Sequence, residues 1–302
     1  MKKLVISGAT SFIGRAIIQA ASEFDITAVV RRNSRKTDVL RKLTNLKIVE
    51  LNMDEYASLG DLVGTADCYI HLAWNGTRGA DRTDEVMQQS NYVYSMQAIE
   101  SMLATGCKRI ITAGSQAEYG NVAGLITEET QCIPNTSYGK YKLRMYESTA
   151  KLCLEEGVSY KEPRIFSLYG PGDYKNTLIM TLIAKLSQNE SCDMTEAIQK
   201  WDYLYLDDAA SAFIALSTAD CPDGVYNLAS GDVRMLRDYV EELYAILQSD
   251  SKLNFGAVPY PPTGAVSIEP CIQKIQSLIG WKAKVSFHDG IIRTIAYGKN
   301  NK

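Results

Sequence analysis

Between residues 3 and 166 the chain alternates short β-rich runs with longer helical stretches, and this pattern restricts its folding options most. The first cycle is Leu4-Val5-Ile6, the turn Ser7-Gly8-Ala9-Thr10-Ser11-Phe12-Ile13-Gly14, and a helical stretch to about Ser22. Runs at Ile26–Val30, Lys47–Glu50, Asp67–Leu72, Arg109–Ala113 and Tyr160–Phe166 follow, with long helices expected over 84–105 and 137–156. Strands separated by helices pair parallel, with the crossover helices covering both faces. The fold class expected is α/β, a doubly wound parallel sheet. Such sheets bind ligands beyond their C-terminal strand ends, where Gly8, Ala73, Ser115 and the start of the 137–156 helix converge.

Beyond Phe166 the alternation breaks down. Tyr169-Gly170-Pro171-Gly172-Asp173 is a turn, Trp201–Leu206 is strand-like and leads through Asp207-Asp208 into a helix, and Gly224–Leu228 is a further strand. The organisation expected is a dinucleotide-binding domain of residues 1–166 with 203–230, and a smaller mixed α/β substrate-binding lobe of 167–202 with 231–302. A chain of 302 residues, 46% apolar, can bury a core of that size.

Composition removes several function classes. A net charge of −3 argues against bulk electrostatic binding to nucleic acid or an anionic membrane. No apolar run approaches a membrane span, and the N-terminal one, broken at Gly8, is too short for a signal sequence. Seven scattered cysteines without a Cys-x-x-Cys fit buried thiols in a reducing cytoplasm better than disulfides or zinc. With only His71 and His288 present, neither a histidine triad nor a histidine-rich metal site is expected, and no metal is.

The turn carries the first chemical signal. Gly8 permits it, Gly14 lets the helix approach the sheet, and backbone N–H groups at the helix N-terminus can hold a pyrophosphate. Gly8, Thr10, Ser11, Phe12, Ile13 and Gly14 are the cofactor-binding residues expected there, with Ser11 where the middle glycine of such turns usually stands. After the second strand, an acidic residue would hydrogen-bond the ribose hydroxyls of NAD. Arg31 stands in its place, followed by Arg32 and, nearby, Arg35. Guanidinium suits a 2′-phosphate, so NADP(H) is favoured over NAD(H). Asn52 and Met53 are placed near the adenine, Leu72 and Ala73 where the backbone meets the cofactor.

Tyr138 and Lys142 share a helix face at a spacing of four, and a phenol beside an ammonium is a proton donor tuned below its free pKa. Spacing alone carries little weight, since 18 Tyr and 19 Lys in 302 residues give about one such pair by chance. Context carries the rest: the pair opens the helix that follows the strand ending at Ser115.

Taken in order, these pieces resemble the extended short-chain dehydrogenase/reductase family of nucleotide-sugar epimerases, dehydratases and reductases, whose core is a Rossmann-type sheet. The matching stretches are Gly8 to Gly14, His71-Leu72-Ala73, Asn91, Gly114-Ser115 and Ser137-Tyr138-x-x-x-Lys142. They continue through Arg164, Tyr169 to Gly172, Trp201 to Asp208 and Val225-Tyr226-Asn227. The resemblance implies Tyr138 as general acid/base, Lys142 as the residue that holds the nicotinamide ribose and lowers the Tyr138 pKa, and Ser115 as a hydrogen-bond partner of the reacting oxygen. It implies Ser115, Gln116, Arg164 and Ser167 as substrate contacts, a structural role for Asn91, and a homodimer formed through helices 84–105 and 137–156.

Departures from the family pattern narrow the activity. Family dehydratases carry Asp-Glu after the equivalent of Ser115, whereas Gln116 and Ala117 stand here and can do no acid/base work. Many members place Asn where Ser167 stands. The expected activity is NADPH-dependent reduction of a nucleotide-diphosphate keto-sugar, with a 4-keto-6-deoxyhexose as the expected sugar. The alternatives are an NAD-dependent nucleotide-sugar 4-epimerase and a non-catalytic NAD(P)-binding sensor.

Overall fold

The computed structural model describes every residue except Lys42, Thr44, Asn45, Thr263, Asn301 and Lys302, with Asn300 described by its backbone alone. In chain order the principal elements are β1 (Lys3–Ser7), α1 (Phe12–Ala20), β2 (Asp25–Val30), β3 (Leu46–Glu50), β4 (Cys68–His71), α2 (Glu85–Ala104) and β5 (Arg109–Thr112). There follow α3 (Ser137–Glu155), β6 (Ser159–Ile165), α4 (Leu178–Leu186), α5 (Leu206–Thr218), β7 (Gly224–Leu228), α6 (Leu236–Leu247), α7 (Gln273–Ile279) and α8 (Phe287–Asn300).

Seven strands form one parallel sheet in the order β7-β6-β5-β4-β1-β2-β3, with Gly114–Ser115 prolonging the β5 edge beside β6. The order reverses at β1: β2 and β3 run off to one side, β4 to β7 to the other. That reversal opens a crevice between the ends of β1 and β4.

Alternation along each strand divides the core between the two faces. Leu4, Ile6, Ala28, Ile70 and Ile111 point into a layer closed by Ile17 of α1 and Phe213 of α5. Val5, Val29, Tyr69 and Ile110 point the other way, onto Ala98, Ile99 and Met102 of α2 and Met145 of α3. Because both faces are covered, the strands read as nearly continuous apolar runs. Each fully buried Leu or Ile contributes about 1.5–3 kcal/mol relative to exposure.

The helix starts are set by local chemistry. Asp84 caps α2 by accepting the Met87 N–H at 3.0 Å, and Thr136 caps α3 by accepting from Gly139 at 3.1 Å. The α3 helix can start where it does because residue 139 has no side chain: a Cβ there would lie 2.3 Å from the Ala117 carbonyl oxygen.

A third cluster lies beyond the sheet, where Tyr169, Tyr205, Tyr239 and Phe287 pack with Ile179 and Leu182 of α4 and Leu243 of α6. The Trp201–Leu206 stretch, expected as one strand, is divided. Trp201 pairs antiparallel with Arg234, while Tyr203–Tyr205 pairs parallel with Ser167–Tyr169, away from the main sheet. The break is at Asp202, whose buried carboxylate accepts the Ser230 and Gly231 N–H groups at 2.7 Å each.

Candidate active site

Four strand ends meet in a cleft of about 930 Å³ at the sheet reversal. The turn after β1 supplies Gly8, Thr10 and Ser11, and the segment after β2 supplies Arg31, Asn33, Ser34, Arg35 and Lys36. Asn52, Met53 and Asp54 come from the end of β3, and Leu72, Ala73, Trp74 and Asn75 from the end of β4. A Cβ at Gly8 would lie 2.7 Å from the Ala73 nitrogen, and φ at Gly8 is +67°, so only glycine lets the two strand ends close up.

Ser11, in the place of a glycine, is the N-cap of α1: its Oγ accepts the Gly14 N–H at 3.0 Å. Phe12 and Ile13 do not line the cleft with their side chains, which pack on the core. Their N–H groups have no acceptor among the described residues, as the first turn of a helix leaves them. Free N–H groups at a positive helix end, next to the Thr10 and Ser11 that line a cleft edged by Arg31, Arg35 and Lys36, fit a dinucleotide pyrophosphate. Arg32 departs from expectation. It turns away and pairs with Glu55 at 2.6 Å, and that partner neutralises it. The basic edge is Arg31, Arg35 and Lys36.

Ser115, Tyr138 and Lys142 lie together on the other side of Trp74, and all three are buried. The Ser115 hydroxyl accepts the Ala117 N–H at 3.2 Å and is close enough to the Tyr138 phenol to hold its pKa down. The Trp74 ring stands edge-on to Tyr138, centroids 6.3 Å apart, and lies 3.9 Å from the Lys142 Nζ. Lys142 donates to the Ala113 carbonyl at 2.8 Å. Burial brings its ammonium down to about 8, against the opposing charges of Glu118 and Glu162.

The Tyr138 phenol does not follow the expectation of a depressed pKa. Burial pushes it up; the Ser115 hydrogen bond and the Arg82 and Arg78 charges pull it down, and Glu118 adds to the rise. The cation on the phenol is Arg82, whose guanidinium carbon lies 4.7 Å from the ring centroid.

Arg164 requires a correction. As a substrate contact it would have to present its guanidinium to the site, but it is 2% exposed and held between two carboxylates. Its Nε lies 2.8 Å from Glu118 and 3.0 Å from Glu162, and it donates to the Cys132 thiol at 3.2 Å. Burial alone would lower its pKa, yet the two carboxylates hold it raised, while burial and the Glu118 charge push Glu162 well up. Glu118 in turn accepts the Ser115 N–H at 2.6 Å, closing a capping box around the 115–118 turn. Gln116 is half-buried in that turn, and Ser167 is half-buried beside Tyr203.

Three contributors to the site were not foreseen: Trp74 as the wall between cleft and trio, Arg82 on the phenol, and Glu118 behind Ser115. Glu118 had a readable signal, since Ser-x-x-Glu is a capping-box pattern. Trp74 and Arg82 had none, lying in a loop whose course depends on α2. Asn91 bonds both Asn75 backbone groups, at 3.0 and 2.8 Å, which is the structural role anticipated for it. His71 is buried among Ser7, Tyr69 and Ser95, each bonded at 2.8 Å, and burial holds its imidazole down at about 3.

Comparison with known proteins agrees with this geometry. Residues 4–229 match the NAD dependent epimerase/dehydratase family. The chain is 25% identical over 307 residues to dTDP-4-dehydro-6-deoxyglucose reductase of Escherichia coli, covering 97% of this chain and 96% of that protein. It is 23% identical over 308 residues to CDP-abequose synthase of Salmonella muenchen, covering 98% and 97% respectively. Its fold matches that of UDP-N-acetylglucosamine 4-epimerase from Methanobrevibacter ruminantium M1 with a TM-score of 0.90 at 21% identity, covering 100% of this chain and 99% of that one. A parallel sheet with a dinucleotide turn, a buried Ser/Tyr/Lys trio and a family match over most of its length thus make this chain a member of the NAD dependent epimerase/dehydratase family, an NAD(P)-dependent nucleotide-sugar enzyme of the extended short-chain dehydrogenase type.

Proposed function

We propose that the protein is an NADPH-dependent reductase of a nucleotide-diphosphate keto-sugar, specifically of a 4-keto-6-deoxyhexose. The observation that carries this reading is the residue content beside the proton donor: Gln116 and Ala117 follow Ser115, so no carboxyl there can begin a dehydration. Glu118, the next acid, is fully buried and engaged with Arg164. The basic edge of Arg31, Arg35 and Lys36 supports a cofactor with an extra phosphate, and a relative named as a 4-dehydro-6-deoxyglucose reductase supports the direction of reaction.

In this reading the cofactor, when bound, supplies hydride to the carbonyl carbon. The chain's own residues do the rest. Tyr138 holds the proton that passes to the carbonyl oxygen, and Ser115 donates a hydrogen bond to that oxygen. Lys142 orients the nicotinamide ribose, and the Phe12 and Ile13 N–H groups hold the pyrophosphate. The lobe built on the Tyr169–Phe287 cluster receives the nucleotide. We also propose a homodimer through α2 and α3, whose outer sides expose Val86, Val93 and Leu154. A single species of monomer mass in sedimentation at micromolar concentration would refute the dimer.

The test offers NADPH or NADH with UDP-, CDP-, GDP- and dTDP-4-keto-6-deoxyhexoses. Oxidation of NADPH matched mole for mole by reduced sugar is the expected result, with Tyr138→Phe lowering kcat by about 10²–10⁴-fold. Protein that purifies with bound NAD and interconverts sugars without consuming cofactor would establish the epimerase reading instead.

A further inference from the structure

The 115–118 turn carries the Ser115 hydroxyl and is also the seat of α3, so whatever fixes this turn fixes Ser115 and Tyr138 together. Glu118 fixes it from inside. One carboxylate oxygen accepts the Ser115 N–H at 2.6 Å, and the other accepts the Arg164 Nε–H at 2.8 Å. The α3 helix rests on the same turn at Gly139, where a Cβ would lie 2.3 Å from the Ala117 carbonyl oxygen. Arg164 reaches α3 as well: its guanidinium carbon lies 5.3 Å from the ring centroid of Tyr146, two turns beyond Tyr138, and 4.6 Å from that of Tyr119.

Closing a three-residue turn does not by itself require this arrangement. Glu118 is fully buried, and a buried carboxylate is costly unless it is paired and hydrogen-bonded. The chain supplies the counter-charge from Arg164 on β6, 46 residues away, and holds that arginine on its other side with Glu162 at 3.0 Å. Gly114 leaves the space for it, since a Cβ there would lie 2.7 Å from the Glu162 Cγ. A charged clamp is thus built directly behind the two groups that face the substrate carbonyl in the proposed reaction.

We propose that Glu118 is a positioning residue for the reaction: clamped on Arg164, it holds the Ser115 hydroxyl and, through the turn beneath α3, the Tyr138 phenol at the separation that one shared carbonyl oxygen requires. Arg164 is the anchor of the clamp. Small displacements of such groups lower a rate steeply, because both must reach the same atom. Glu118 also faces Tyr138 as a charge, beside the Ser115 hydroxyl and the Arg82 and Arg78 guanidinium groups, with Lys142 one turn along the same helix. It raises the phenol, which keeps the proton on a residue that has to give it.

This inference rests on the reading of Ser115 and Tyr138 as the groups that meet the carbonyl oxygen, and the experiment separates the two. Native chain, Glu118→Gln and Glu118→Ala are compared with NADPH and whichever UDP-, CDP-, GDP- or dTDP-4-keto-6-deoxyhexose is turned over. Glu118→Ala should lower kcat about 10²-fold, and Glu118→Gln, which keeps an acceptor for the Ser115 N–H, should recover part of that loss. The KM for NADPH should stay within about twofold, since the cofactor cleft lies on the other side of Trp74. A native kcat in folded Glu118→Gln, or a rise in the KM for NADPH as large as the fall in kcat, overturns the proposal. Should Glu118→Ala fail to fold, Glu118→Gln decides alone. A chain that turns over no nucleotide sugar would refute the functional reading, and the clamp is then read without substrate from 3,5-difluorotyrosine at position 138. Its fluorine shift should change in Glu118→Gln and its apparent pKa should fall, whereas an identical shift and midpoint overturn the proposal.

Discussion

At the β2 and β3 end of the site, charge is carried on exposed side chains that act singly: Arg31, Arg35 and Lys36 edge the cleft from the solvent side. At the β5 and β6 end it is carried on buried groups that cannot be separated. Glu118, Glu162 and Arg164 are each at most 2% exposed and bonded to one another. The exposed cations are hydrated and screened, so each contributes modestly and can be exchanged without disturbing its neighbours. The buried triad has lost its water, so each member depends on the others remaining in place. In the proposed reading, cofactor preference is thereby set where substitution is tolerated, and the proton donor is braced where it is not.

Arg164→Met is the most severe way to break that contrast, since it removes the guanidinium that bonds both buried carboxylates. Denaturant unfolding should show a loss of about 3–5 kcal/mol. If stability were unchanged, the two ends of the site would be equally tolerant and the contrast would fail.

His71, at the end of β4 between the two regions, tests whether burial or charge dominates there. Its pKa is depressed to about 3 in the folded chain against 6.5 as its ordinary value. The unfolded state takes up the proton first, so the stability this group contributes is complete above pH 6.5 and is lost as pH falls. Between pH 6.5 and about 5 the slope should approach 1.4 kcal/mol per unit, and His71→Gln should remove it. Equal slopes for the two proteins would show that the imidazole accepts its proton without unfolding.

The smallest effects belong to the exposed end. Arg31→Ala should weaken NADPH about tenfold in a fluorescence titration and leave NADH unchanged, as loss of a phosphate contact would. Arg32→Ala should change neither, because Glu55 already neutralises it. Equal weakening of both cofactors by Arg31→Ala would place that arginine on the pyrophosphate or adenine instead of the 2′-phosphate.

The parts legible in the sequence were those fixed by local rules. The Gly8 turn, the strand alternation and the helices at 85–104 and 137–155 follow from periodicity and from residues that cap or turn the chain. Arg164 and Arg32 were misplaced because a basic residue in a motif says nothing about which carboxylate the fold will set beside it. Glu162, two residues before Arg164, points to the same side of β6, while Glu118 comes from 46 residues earlier in the chain. Period-two geometry made the first partner foreseeable, but only the tertiary fold supplies the second. The division at Asp202 was equally hidden, since the acceptor of the Ser230 and Gly231 N–H groups lies 28 and 29 residues away in sequence.

The seating of the loop from Trp74 to Arg82 has one further consequence. Gln88 and Asn91 hold it by amides, and the groups they hold are mostly main-chain, at Gly76, Asp81 and Asn75. Main-chain anchoring is indifferent to the side chains the loop displays, so the exposed Thr77 and Ala80 can be exchanged while the path stays the same, whereas Arg78 is tied to Asp173 and Gly79 sits at φ +57°. The path of the loop is thus set by α2 beneath it more than by the residues the loop itself displays.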